Sequence, residues 1–241
     1  MRKPISIVLA LGMLVGLASA ASATVTFTGV AANLAASASF TVTGTTVTLV
    51  LTNTSAFDVT NPAEVLTGVF FDIAGFPPNT LTPVSAALTA GSTVFYGPLN
   101  AGNVGGEWAY GAALSGAPGG AYLGTSSSGF GLFGGSNFPG SNLQGPAAVD
   151  GVQYGITSVG DNLTLGNAAV TGGNGLIQNS VTFTLTAGST FSEGDISNVS
   201  FQYGTSLSEP NVPSVPEPGT LFALGSGLLA LGAAKAKRRK K

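Results

Sequence analysis

Between Thr24 and Glu209 the chain alternates hydroxyl and apolar residues in run after run. Clear cases are Val25-Thr26-Phe27-Thr28, Ser39-Phe40-Thr41-Val42-Thr43, Thr46-Val47-Thr48-Leu49-Val50-Leu51-Thr52, Val181-Thr182-Phe183-Thr184-Leu185-Thr186 and Val199-Ser200-Phe201-Gln202-Tyr203. Leu66 to Ile73, Thr93 to Tyr96 and Val152 to Val159 read the same way. A period of two puts the apolar side chains on one face of a strand and the hydroxyls on the other. Gly, Asn and Pro clusters punctuate the runs. No amphipathic helical period occurs outside the termini. The pattern predicts an all-β domain over 24–209, an antiparallel β-sandwich or jelly roll.

Residues 97–151 have a different character. Glycine is dense, as in Ser128-Gly-Phe-Gly-Leu-Phe-Gly-Gly135, and aromatic residues are interspersed from Trp108 to Phe138. This composition predicts a long Gly-rich loop insertion within one domain rather than a second domain.

Charge is segregated along the chain. The eight cations are Arg2, Lys3, Lys235, Lys237, Arg238, Arg239, Lys240 and Lys241, and all ten acids lie between Lys3 and Lys235. A middle without one Lys or Arg cannot displace phosphate counterions, which argues against nucleic acid as a partner. With no His and no Cys, Ser-His and Cys-His catalysis, thiolate chemistry, His/Cys zinc sites and disulfides are excluded. The carboxylates of the middle must rely on hydrogen bonds, water or bound cations.

Both ends look like addresses. Arg2 and Lys3, the apolar run Ile5 to Leu17, and the small-residue sites ending at Ala20 and Ala23 compose a signal peptide over 1–23. It implies export through the Sec machinery and cleavage by signal peptidase. At the other end, a Pro-rich linker over 210–218 holds Val215, Pro216, Glu217 and Pro218. The 16 apolar residues of 219–234 follow, about 24 Å as a helix. The basic tail of 235–241 should stay cytoplasmic as a stop to transfer, which predicts one transmembrane helix.

Pro216-Glu217-Pro218, the short apolar helix and the terminal Arg/Lys cluster occur in that order over Val215 to Lys241. This tail resembles the PEP-CTERM sorting signal of bacteria that carry an exosortase. The resemblance implies an exosortase as partner, a membrane-anchored precursor, and processing near the tripeptide. The product would go to the cell surface, outer membrane or extracellular matrix. Two prolines disfavour helix around Glu217 and keep it extended for an enzyme.

Three constellations in the domain merit comparison with the structure. Glu107, Trp108 and Tyr110 could form a glycan-binding platform, or Trp108 could be the main plug of the core. Asp150, Asp161, Glu193 and Asp195, on Gly- and Asn-rich segments, could hold Ca²⁺. Glu107 and Glu193 are the nominal acid pair for a glycoside hydrolase. Asn53-Thr-Ser55 fits a glycan acceptor pattern. The expectation is an exported non-enzymatic protein, without a required cofactor, structural or adhesive in envelope, biofilm or exopolysaccharide. A carbohydrate-binding module is the first alternative and a hydrolase the second.

Overall fold

The computed structural model describes residues 23–75, 81–98, 101–143, 149, 151–165 and 168–216. The alternating runs form strands. β1 (Thr24–Ala31), β2 (Leu34–Thr43) and β3 (Thr46–Asn53) make an antiparallel meander. In β2 the buried positions are Leu34, Ala36, Ala38, Phe40 and Val42, every second residue. β4 (Leu66–Ile73), β5 (Leu81–Leu88) and β6 (Thr93–Phe95) follow. Then come β7 (Ala109–Ala112), β8 (Leu123–Ser126), β9 (Ile156–Thr157), β10 (Leu176–Gln178), β11 (Ser180–Ala187), β12 (Ile196–Tyr203), β13 (Asn211–Pro213) and β14 (Val215–Pro216).

The first sheet has six strands in the order β14-β1-β2-β3-β11-β5. The second has the order β13-β12-β4-β9-β10-β6, with β8 also on β4 and β7 on β8. Every pairing is antiparallel except β9 with β10, which are parallel. The sheets face one another across one core, where the Phe40 ring meets Phe71 at 5.1 Å and Trp108 meets Phe183 at 5.0 Å, both edge-on. On the outer face of the first sheet the hydroxyls pair across strands: Thr26 with Ser39 at 2.9 Å and Thr24 with Thr41 at 2.7 Å. The all-β expectation therefore holds.

The segment 97–151, expected as a Gly-rich loop insertion, also holds two short strands. It contributes β7 and β8, which extend the second sheet from β4. Phe133 packs over the outer face at 6.0 Å from Phe70, in a second cluster with Ala109, Ala117 and Ala121. β4 is thus covered on both faces, and seven of its eight residues are buried, where the expected period of two would bury only one face. The glycines make room for rings: a Cβ on Gly111 would lie 2.9 Å from the Phe133 ring. Gly-rich and aromatic composition here builds a covering layer, because bare backbone lets an aromatic face lie close to the sheet.

Candidate functional site

The site begins where the domain hands the chain to its C-terminal segment. After β12 the chain turns back through a tight loop, Gly204–Pro210. The Glu209 carboxylate accepts the amides of Thr205 at 2.6 Å and Ser206 at 2.8 Å. The wholly buried Gln202 amide faces the carbonyls of Tyr203, Ser206, Glu209 and Pro210, at 3.0 to 3.3 Å. Its Oε1 accepts from Asn211 Nδ2 at 3.2 Å. A buried amide with these partners makes one loop geometry much cheaper than others.

β13 then pairs with β12, with Val212 opposite Phe201 and Pro213 opposite Ser200. Val212 is buried, and the Ser214 amide donates to Val199 O at 2.9 Å. Next the chain crosses to the other sheet. β14 pairs with β1, with Val215 opposite Thr28 and Pro216 opposite Phe27. The side chain of Val215 is 71% exposed. Residues 211–216 therefore strap the edges of the two sheets together. Within the expected linker over 210–218, residues 211–213 and 215–216 lie in strands of the two sheets. Pro213 and Pro216 sit on outer strands, where a missing N–H costs no ladder bond.

β14 runs antiparallel to β1, so its end and the start of β1 lie at one pole. Phe27 stands opposite Pro216, and Thr24 is three residues from it, about 10 Å along the strand. Ala23, a predicted signal-cleavage residue, is exposed and immediately precedes β1. Ala20, Asp150, Glu217, Pro218, the apolar segment 219–234 and the tail Lys235, Lys237, Arg238, Arg239, Lys240 and Lys241 lie outside the described residues. Among the described residues no helix is long and apolar enough to cross a membrane.

The glycan platform is not assembled. Trp108 is fully buried and its indole Nε1 donates to Tyr154 O at 3.1 Å. Glu107 is 1% exposed and accepts the Leu143 amide. Its carboxylate, after burial itself, raises the Tyr154 hydroxyl to about 12. Tyr110 borders an open cleft of about 420 Å³ between β5 and β7, with Leu81, Thr82, Pro83, Ala112 and Ser136. Only 4% of Tyr110 is exposed, so it offers no ring face for a sugar to stack on. Core packing won because Trp108 lies between the two sheets and its one polar atom finds a carbonyl.

The proposed calcium ligands are not gathered: among the described residues no three acids come together. Each of the described ones accepts a backbone amide instead. Glu193 accepts the Val42 amide at 3.0 Å. Asp195 accepts the Ser192 amide at 2.8 Å in a capping box. Asp161 accepts the Val59 amide at 3.1 Å, and the neighbouring Asp58 accepts the Asn162 amide at 2.9 Å. Glu107 and Glu193 sit on separate 3-10 turns, one inside the core and one at its rim, so they make no shared cleft. Asn53 is also buried, donating to Ile156 O at 3.1 Å.

Sequence reasoning missed the strap. Its trace is visible afterwards: Val212 and Val215 are three apart, and this break in the period of two is where the chain changes sheets.

Comparison with known proteins gives one result at this end of the chain. The model of the PEP-CTERM protein-sorting motif matches residues 214–239. The motif supports export, recognition by an exosortase and processing at the membrane. No curated protein matches, and no solved structure matches.

Proposed function

We propose, from the premise that this chain is a PEP-CTERM sorting-signal protein, that its β domain is the cargo: a structural or adhesive component of the cell surface or extracellular matrix. The observation that carries this reading is the bracketing of the domain by its two ends. β1 starts one residue after Ala23, and β14 ends inside the sorting motif on the neighbouring strand. Export and sorting would thus deliver one folded body whose ends leave from the same pole. The described carboxylates support a non-catalytic role, since they staple loops and are not aimed into a common cleft. The buried Trp108 favours the structural reading over a carbohydrate-binding module.

The test compares cells with and without the sorting enzyme. In its presence the mature protein is expected in the surface or matrix fraction without Lys235 to Lys241. In its absence the precursor should remain in the inner membrane with the basic tail attached. A protein that keeps its tail and its location in both strains is a plain anchored protein, and the sorting reading fails.

A further inference from the structure

We propose that the outer face of the first sheet is a docking surface for a second copy of this chain, so that two domains pair face to face about a two-fold axis. The inference goes beyond the cargo reading and does not depend on how the chain is sorted. It starts from where charge is missing. The six strands of the first sheet contain no Asp, Glu, Lys or Arg. The described acids lie on β4, in turns and in loops. In a domain whose charge is all of one sign, copies repel wherever their acids approach, and this sheet is the face on which they do not.

The face is built in rows. Thr24, Thr41, Thr48, Thr184 and Ser85 stand opposite one another across β1, β2, β3, β11 and β5, and none of them is buried. Hydroxyls on the face bond to one another: Thr24 with Thr41 at 2.7 Å, Thr26 with Ser39 at 2.9 Å and Thr89 with Thr182 at 2.8 Å. Groups already paired in this way can be covered without being orphaned, which lowers the cost of burying a polar surface. Val30 and Val215, exposed to 74% and 71%, add apolar surface at the rim. β3 contributes four outward positions, so five strands by four rows give a footprint of roughly 600 Å² at ordinary sheet spacings. Two copies would cover about 1,200 Å² together, the lower end of specific interfaces. Shape points to the same occupant. Neighbouring strands are rotated by roughly 20°, so a flat lattice or a straight polymer meets five of them over only part of their width. A second copy carries the same twist, and sheets of like twist stack face to face at about −30°.

Sedimentation equilibrium on the protein purified from the producing cell, with intact mass recorded first, reads the association. A monomer–dimer equilibrium in the micromolar range is expected. It should tighten as salt rises from about 50 to about 500 mM, because salt screens the acids and finds no charge in the interface. Thr48→Lys, at the centre of the face, buries an unpaired ammonium and should weaken the dimer at least about tenfold. Ser197→Lys adds the same charge at an exposed position of the second sheet and should leave the dimer unchanged. Denaturant midpoints show whether each variant folds, and Thr182→Lys on the next strand reads the same face if Thr48→Lys does not. A protein that stays monomeric up to about 1 mM, a dimer that survives in the folded lysine variant, or association that weakens with salt overturns the proposal. So does a folded monomer that binds a neutral polysaccharide and loses it with Thr48→Lys, since the occupant of the face is then a glycan.

Discussion

A carboxylate with no lysine or arginine to pair with has to find its donors in amides and hydroxyls, and in this domain it finds them next door. Asp195 closes a capping box with Ser192, Glu209 closes the loop before the strap, and Glu64 binds the Thr60 amide at 2.7 Å and the Asn33 side chain at 2.9 Å. The exception in kind is the Asp58–Asp161 pair, where two acids meet. Burial, and then the hydrogen bond to Asp58, raises Asp161 above the ordinary carboxylate range, while that same bond lowers Asp58. The contribution of Asp161 is complete below its unfolded pKa and is lost as pH rises through its raised folded value. That of Asp58 is present above its unfolded pKa and lost as pH falls through its lowered one. The pair is thus best served by one shared proton, in mildly acid solution. Asp161→Asn gives Asp58 a permanent donor and keeps a carbonyl for Val59. It is expected to be more stable than wild type at pH 7 by about 0.2–1 kcal/mol, since the pair is largely screened by solvent, with the gain shrinking towards roughly pH 4.5. Urea midpoints at the two pH values check this, and a gain that is the same at both would refute the shared proton.

At the scale of elements, strands were legible from alternation because one buried face imposes a period of two. β2 and β3 follow it residue by residue, and β11 does so from Val181 onward. β7 and β8 were not legible. Their runs are four residues each and contain glycine, so the apolar share of their surface comes from Phe133 and neighbours elsewhere in the chain. The strap was hidden for a related reason. Edge strands tolerate proline, and Pro213 and Pro216 on the outer strands, with Pro83 on β5 at the opposite edge of the first sheet, blunt the sheets against pairing with other chains. In sequence such prolines look like a stalk. The seam between β1 and β13 depends on Gly29 having no side chain. Gly29→Val should force Phe201 and Val212 apart and cost about 1–3 kcal/mol, read as a lower denaturant midpoint. A midpoint equal to wild type would mean that the strap does not press on β1.

At the scale of the whole molecule, the segment 24–216 carries nine acids and no Lys or Arg. Nothing inside it can form a salt bridge, so its charge is all of one sign at neutral pH. Solubility of the mature protein is expected to fall steeply as pH drops towards ~4, where Asp and Glu take up protons. A turbidity series across that range is the check, and a flat curve would mean that charge is not what keeps the domain dispersed. The same architecture places the start of β1 and the end of β14 at one pole. The opposite pole carries Phe57 at 60% exposure beside the Asp58–Asp161 pair.

The sequence by itself determined the all-β class, the anionic domain and the sorting address, because each is written in local pattern: a period of two, a charge count, and an ordered motif at the end of the chain. Tertiary structure alone decided which side chains reach solvent and which prolines join strands. Trp108 and Glu107 lie within three residues of Tyr110 in the sequence, but only sheet packing buries all three. Pro216 belongs to a sorting tripeptide by sequence and to a β-strand by structure, since a ladder partner 189 positions away, Phe27, is visible only once the chain has folded.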